Sequence, residues 1–221
     1  MSYRLVDLNH PFGDGTLTCP GLPAPVVKPH LTREASRDVY AEGTEFELDV
    51  ITMIGNTGTY LDSPFHRYAD GTDLSGLPLE SLVDLPAVVV RHDVFVGRGI
   101  GAADFTGLEI AGRAVLLDTG WDVHFGKDAY GVDAPFLSAD GAEYLAAHGA
   151  ALVGIDSVNI DDTQSGGTRP AHSILLANGI PIVEHLTGLA GLPTTGALFT
   201  SVPPRVRDFG TFPVRAFAKV P

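Results

Sequence analysis

Seven short runs of β-branched and other apolar residues, separated by turn residues, constrain the fold of this 221-residue chain more than any other feature. Such runs predict strands, and continuous apolar ones are typical of a sheet that is covered on both faces. The 26 glycines and 16 prolines are spread along the chain and favour short elements joined by tight turns. The predicted strands cover residues 46–54, 87–92, 114–118, 151–156, 180–184, 197–201 and 213–219.

Two segments predict helices. The first, Ser138–His148, begins with a residue suited to the N-cap, and Gly149 follows as a stop signal. The second, Pro170–Ala177, begins with proline, which favours the first helical turn. Many strands and few helices, with no linker between them, predict a single α/β domain over residues 1–221 with a mixed sheet.

The longest stretch without periodicity covers residues 10–36. A loop of this length in a compact domain is usually functional, so we expect it to cover the site. It contains Cys19, the one cysteine of the chain, which cannot form an intramolecular disulfide. Cys19 lies between turn residues without an adjacent base, which favours a bystander role.

Charge and hydropathy exclude two classes of partner. The formal net charge is −13, and this charge repels nucleic-acid phosphates and anionic membrane surfaces. No apolar run approaches the roughly 20 residues that span a bilayer, and the N-terminus lacks the features of a signal peptide. We therefore expect a cytoplasmic protein that acts on a small molecule, without nucleic-acid or membrane partners.

The densest group of polar residues is Asn56–His66, directly after the strand predicted to end near Ile54. Catalytic groups often lie where a strand passes into a loop, and Pro64 would fix the turn that directs Asp62 and His66. A histidine titrates near neutral pH and suits general acid or base catalysis. A capped turn that carries a surface histidine is the alternative reading of the same residues.

A second group places His172 on the short second helix and Glu184 at the end of the next strand. Together with Asp62 they offer nitrogen and oxygen ligands suited to zinc, manganese or magnesium. A hydrogen-bonded histidine at a helix start and a solvated glutamate at a strand end are the alternative.

Asn56–His66 resembles the cyclase-family signature His-x-Gly-Thr-His-x-Asp-x-Pro-x-His, and further segments match the family in order and spacing. These are Leu5–Pro11, Leu117–Trp121, Gly154–Ser157, His172-Ser-Ile-Leu-Leu, Ile182-Val-Glu184 and Pro213–Ala218. The chain is thus similar to the cyclase / kynurenine formamidase-like superfamily, which includes bacterial kynurenine formamidases and isatin hydrolases. The resemblance implies a swivelling β/β/α fold, a homo-oligomer (dimer or tetramer) and a divalent metal that activates water.

The chain departs from this pattern at the two signature metal histidines, whose positions hold Asn56 and Tyr60. Asp62, His66, His172 and Glu184 match the family. The metal prediction is therefore that Asp62, His172 and Glu184 hold one zinc or manganese ion, or that the site works without metal. The phenol of Tyr60 could donate a hydrogen bond to an oxyanion, and the amide of Asn56 could bind substrate.

The leading hypothesis is a hydrolase that cleaves an amide or lactone bond of a small substrate, including aromatic and cyclic ones. The predicted catalytic residues are His66, as acid or base, Asp62 and Tyr60, and the predicted substrate-binding residues are Asn56, Trp121 and Phe65. A metal-independent cyclase, lyase or dehydratase would instead use His66 and Tyr60 as an acid/base pair. The third hypothesis is a binding protein that has lost turnover.

Overall fold

The computed structural model describes residues 3–221, which form thirteen strands and three α-helices. Nine strands make one sheet: β1 (Arg4–Asp7), β4 (Tyr60–Asp62), β5 (Leu85–Arg91), β7 (Ala114–Asp118), β9 (Leu152–Ile155), β10 (Ile182–Glu184), β11 (Thr195–Thr200), β12 (Thr211–Pro213) and β13 (Phe217–Val220). Their order is β1-β13-β11-β5-β7-β9-β10-β4-β12. The central strands β5, β7, β9 and β10 run parallel, and the outer strands pair antiparallel. The predicted mixed sheet is confirmed.

The other four strands form two small ribbons. Strands β2 (Val26–Leu31) and β3 (Leu48–Thr52) make an antiparallel pair, and β6 (Gly99–Ile100) pairs in parallel with β8 (Phe136–Leu137). The helices are α1 (Arg33–Ser36), α2 (Ala139–Ala147) and α3 (Pro170–Ala177). The Ser138 side chain accepts a hydrogen bond from the Gly141 amide and caps α2, as predicted. No helix within residues 3–221 is long and apolar enough to cross a membrane.

Alternation along the central strands divides the core into two layers. In β7, Val115 and Leu117 pack in the layer that contains α2 and α3, represented by Leu145 and Leu175. Leu116 points to the opposite layer, with residues of β4, β10 and β11. Both faces of the sheet are therefore buried, which explains why these strands are continuous apolar runs.

Two predictions about secondary structure are wrong. The run 213–219 is two strands: β12 pairs with β4 at one edge of the sheet, whereas β13 pairs with β1 and β11 near the other. Nothing in the residues of this run indicates that its two ends pair with different strands. Residues 10–36 are not one loop, since they contain β2 and α1; Pro29 interrupts the strand pattern there. The predicted strand 46–54 is confirmed as β3, although it pairs with β2 outside the main sheet.

The segment expected to be a loop after Ile54 also contains strand β4, which lies between β10 and β12. Its register places Tyr60 opposite Glu184 and Asp62 opposite Thr211. Tyr60 and Asp62 are two residues apart and share one face of the sheet, whereas Leu61 points into the core. The site is therefore built on the sheet itself.

Candidate active site

Asp62 and His66 are linked through a residue that the sequence analysis missed, Thr211. The Thr211 hydroxyl donates a hydrogen bond to Asp62 Oδ1, and its oxygen lies 2.7 Å from His66 Nδ1. Because the hydroxyl hydrogen points to the carboxylate, His66 must donate from Nδ1, which leaves its Nε2 as the acceptor in the neutral ring. Thr211 thereby fixes the tautomer of His66.

The other oxygen of Asp62, Oδ2, is buried and has no hydrogen-bond partner among residues 3–221. It lies 3.6 Å from His172 Nε2. Burial alone would raise the pKa of Asp62, but the interaction with His172 and the charge of His66 hold this pKa below its usual value. Asp62 is therefore an anionic group between two imidazoles.

His172 lies in the first turn of α3 and is held by a second missed residue, Asp161. Asp161 Oδ2 is 2.6 Å from His172 Nδ1 and also accepts a hydrogen bond from the His172 backbone amide. Asp161 Oδ1 accepts a hydrogen bond from the Ala171 backbone amide. Burial opposes the charged ring, but the hydrogen bond to Asp161 and the nearby carboxylates of Asp62 and Glu184 raise the pKa of His172 to about 10. The ring is oriented with Nε2 towards Asp62 and Glu184.

Glu184 is a buried carboxylate with both oxygens in use. Oε2 accepts a hydrogen bond of 2.5 Å from the Tyr60 hydroxyl, and Oε1 accepts one of 2.6 Å from the Ile160 backbone amide. Oε1 is also 3.6 Å from His172 Nε2. Burial raises the pKa of Glu184 to about 7, against the lowering effect of His172. Tyr60 would donate to an oxyanion only by giving up its bond to Glu184.

A third missed residue, His185, closes the site behind Tyr60. Its backbone is left-handed, with φ of 57°, an uncommon conformation for a residue other than glycine. His185 Nε2 is 3.3 Å from the Tyr60 hydroxyl and 3.6 Å from Cys19 Sγ, and Nδ1 is 2.8 Å from the Tyr130 hydroxyl. Burial lowers the pKa of His185 to about 3, so the ring is neutral.

One assignment of donors and acceptors satisfies the hydrogen bonds among Tyr130, His185, Tyr60 and Glu184. Tyr130 donates to His185 Nδ1, His185 donates from Nε2 to the Tyr60 oxygen, and Tyr60 donates to Glu184. Cys19 lies in this buried environment, where burial raises the pKa of its thiol to about 12. The thiol is therefore protonated at neutral pH.

Four of these residues, Tyr60, His66, His172 and Glu184, border a cavity of about 460 Å³. Of the predicted substrate-binding residues, Asn56 lines it, whereas Trp121 and Phe65 are not among its wall residues. The Trp121 indole instead donates to the Tyr130 carbonyl oxygen, and Trp121 packs against the small cluster that contains Tyr130 and Val158. The wall consists of Asn56, Tyr60, His66, Arg67, Asn159, Gly167, Thr168, Arg169, His172, Ser173 and Glu184.

The residues present fit a divalent metal ion. Asp62, His66 and His172 offer ligand atoms that all lie within 4.8 Å of one another. The unpaired Oδ2 of Asp62 suits a ligand, and a carboxylate on the far nitrogen of His172 is the usual support of a metal-binding histidine. The cluster includes His66 where the sequence analysis chose Glu184, whose oxygens already accept hydrogen bonds.

Comparison with known proteins identifies the family. The Cyclase family model matches residues 6–162. The chain belongs to this family. It is 31% identical to a kynurenine formamidase of Erythrobacter litoralis over 66% of this chain and 64% of that protein, so the match spans less than two thirds of that relative.

Solved structures give the same answer for the fold. Isatin hydrolase A from Labrenzia aggregata superposes with a TM-score of 0.84 at 21% identity, covering 99% of this chain and 94% of that one. A structure described as a potential metal-dependent hydrolase with cyclase activity gives 0.79 at 25% identity, covering 100% and 99%. The predicted cyclase-type α/β fold is therefore confirmed.

Proposed function

We propose that this chain, a hydrolase of the cyclase family, cleaves an amide or lactone bond of a small molecule in the cavity above β4. The observation that carries the proposal is the buried Asp62 carboxylate between His66 and His172, two residues that line that cavity. An anion between two imidazoles can accept, hold and return protons, or hold a metal ion. The named kynurenine formamidase and metal-dependent hydrolase relatives support the same reaction class.

His66 acts as the general base in this proposal. Its Nδ1 hydrogen is committed to Thr211, and the Nε2 lone pair can take a proton from water as the water attacks the acyl carbon. The imidazolium then returns the proton to the leaving nitrogen or oxygen. Thr211 and Asp62 position the ring and stabilise its positive charge, and Asn56 offers an amide donor to the substrate.

A zinc or manganese ion held by Asp62, His66 and His172 would supply a Lewis acid that polarises the carbonyl and lowers the pKa of water. His66 can ligate an ion or accept a proton through its free nitrogen, but not both. Metal content therefore decides between its two roles. Tyr60 keeps the Glu184 carboxylate in place through their hydrogen bond.

One observation favours a second candidate function, a metal-independent cyclase, lyase or dehydratase. The Tyr60 hydroxyl and Glu184 form a buried 2.5 Å pair beside His66 and His172, where the family signature has a metal histidine. Such a pair can move a proton without an ion. Elemental analysis of the pure protein, followed by assays before and after chelation, separates this function from metal-assisted hydrolysis.

The test of hydrolysis is turnover on a panel of small N-formyl amines, cyclic amides and lactones, with His66→Ala as the paired variant. We expect turnover of at least one amide or lactone by the parent and a large loss in the variant. Binding without turnover of any panel member, with intact folding and after supplementation with zinc or manganese, would favour the binding-protein hypothesis instead.

We further propose a single cytoplasmic domain that assembles as a dimer or tetramer. The β2–β3 ribbon supports assembly, because it stands apart from the main sheet and exposes Val26, Leu48, Val50 and Ile51. Sedimentation at micromolar concentration should give a species of at least twice 23.2 kDa. A species of 23.2 kDa alone would contradict the assembly.

A further inference from the structure

Two arginines, Arg67 and Arg169, line the cavity of an otherwise strongly acidic protein with a net charge of −13. Each guanidinium is fixed by neutral groups. The Arg67 guanidinium lies 5.4 Å from the Tyr68 ring centroid, and its Nε is 3.4 Å from Ser173 Oγ. Arg169 Nη1 donates to the backbone oxygens of Thr168 at 2.8 Å and Asp162 at 3.4 Å. Both groups are therefore ordered at the cavity wall before any ligand arrives.

Neither arginine is neutralised by the protein. Among residues 3–221 no carboxylate oxygen forms an ion pair with Arg67 or Arg169. Asp162, whose charge interacts with Arg169 without forming an ion pair, already accepts two hydrogen bonds of 3.1 Å from Arg98. Two positive charges thus face the cavity with hydrogen-bond donors to spare.

Charge is separated within the cavity. At the base of the site the Asp62 and Glu184 carboxylates each lie 3.6 Å from His172 Nε2, so positive charge is already compensated there by carboxylates of the protein. Arg67 and Arg169 form the cationic part of the wall. A substrate with one anionic group would be oriented by this separation, with its reacting bond at the base and its anion at the arginines.

The adjoining space is suited to an apolar body. A second cavity of about 350 Å³ shares Asn56, Tyr60, Asn159 and Arg169 with the first. Its wall also includes Pro20, Leu22, Gly131 and Val158. Arg169 therefore stands at the junction of a polar reaction space and a more apolar one.

We infer that Arg169, assisted by Arg67, is a specificity-determining residue that binds a carboxylate on the substrate. The substrate is then a small amide or lactone that carries a carboxylate and a compact apolar body. A planar guanidinium matches a carboxylate with two parallel hydrogen bonds. A phosphate dianion is less suited, because it would need backbone amides at the start of α3. The amides of Ala171 and His172 already donate to Asp161.

This inference rests on the proposed function for the position of the reacting bond, but its first test needs no turnover. The fluorescent compounds 2-aminobenzoate and 2-aminobenzamide differ at one group, which is an anionic carboxylate in the first and a neutral carboxamide in the second. We expect the parent to bind the carboxylate more tightly than the carboxamide. Arg169→Gln should weaken carboxylate binding about 10- to 100-fold and leave carboxamide binding within about 2-fold, as expected when a bond to a charged group is lost. Arg67→Gln should show the same selectivity with a smaller effect.

Arg113→Gln is the matched control, since it removes one positive charge from an arginine paired with Glu109 outside the cavity. It should bind both compounds as the parent does. Equal binding of the two compounds by the parent, or equal weakening of both in Arg169→Gln, would overturn the inference. Tighter competition by inorganic phosphate than by benzoate would overturn the choice of a carboxylate.

Turnover separates this inference from the proposed function. The amide pair 2-formamidobenzoate and formanilide should show a preference for the former that Arg169→Gln abolishes. Hydrolysis of both amides at rates that do not depend on Arg169 would retain the hydrolase and remove the carboxylate site. Selective loss of 2-aminobenzoate binding without any amide or lactone turnover would retain the carboxylate site and remove the hydrolase.

Discussion

Asp161→Asn should destabilise the protein and release His172, because Asp161 is the buried residue that holds the first turn of α3. Its two oxygens accept three hydrogen bonds: from the Ala171 amide at 2.7 Å, from the His172 amide at 3.1 Å and from His172 Nδ1 at 2.6 Å. Asparagine has nearly the same shape but only one acceptor oxygen. Whichever way its amide turns, at least one donor then faces the NH₂ group.

The magnitude follows from these contacts. One unpaired buried donor costs about 1–3 kcal/mol, and any bond that remains becomes a neutral one, roughly half as strong as its charged form. We therefore expect the free energy of unfolding to fall by about 2–4 kcal/mol. The affinity for zinc should fall by about 10- to 100-fold if His172 is a ligand, the usual effect of removing the partner of a ligating histidine.

Urea unfolding followed by Trp121, the single tryptophan, measures the stability term at one fixed protein concentration. Asp140→Asn is the matched control. This exposed aspartate also lies at a helix start, in α2, and accepts the Ala102 amide and the Ser138 hydroxyl. Water can replace it, so its loss should cost about 1 kcal/mol or less. If both variants lose the same stability, Asp161 does not hold α3 as described.

Three further predictions concern the site and its cover. His66→Ala should lower kcat by roughly 10²-fold or more while the free energy of unfolding is kept, because its imidazole performs proton transfer at the cavity wall; activity within a few-fold of the parent would remove His66 from the mechanism. Asn56→His combined with Tyr60→His should strengthen zinc binding in competition with a chromophoric chelator at fixed pH, since two imidazoles beside Asp62 recreate the family pattern. Tight stoichiometric zinc in the parent, without improvement in the double variant, would contradict this. Limited proteolysis should first cut within residues 10–36, and early cleavage into two stable halves of similar size would argue against a single domain.

Much of the fold could be predicted because the buried strands carry their own signal. The predicted run 114–118 coincides with β7, and Pro170–Ala177 coincides with α3. These elements are apolar on both sides or bounded by residues that start and stop helices. Strand β4 could not be predicted in the same way, because its three residues combine two polar site residues with one core leucine. Only pairing with β10 and β12 makes it a strand.

The site likewise contains residues that the sequence could predict and residues that it could not. The signature segment predicted Asp62 and His66 as site residues, and the two downstream family elements predicted His172 and Glu184, but the residues that support them are distant in the chain. Thr211 is 149 residues from Asp62, and His185 is 125 residues from Tyr60. No local pattern relates positions so far apart. Asp161, only 11 residues from His172, is nearer, but an aspartate before a helix is common enough to carry no signal alone.

The replacement of a signature histidine by Tyr60 shows why the candidate ligand cluster could not be predicted from the sequence. In the sequence alone, this change indicates one missing ligand and leaves Glu184 as a predicted ligand. The pairing of β4 with β10 makes Tyr60 and Glu184 neighbours, and the phenol donates to the carboxylate at 2.5 Å. With the Ile160 amide on its other oxygen, Glu184 has both oxygens engaged, whereas Asp62 keeps Oδ2 free. The tyrosine therefore changes the site twice: it removes one imidazole, and it engages the carboxylate opposite. The cluster that remains open for an ion is Asp62, His66 and His172, so metal binding in this chain competes directly with the role of His66 as a base.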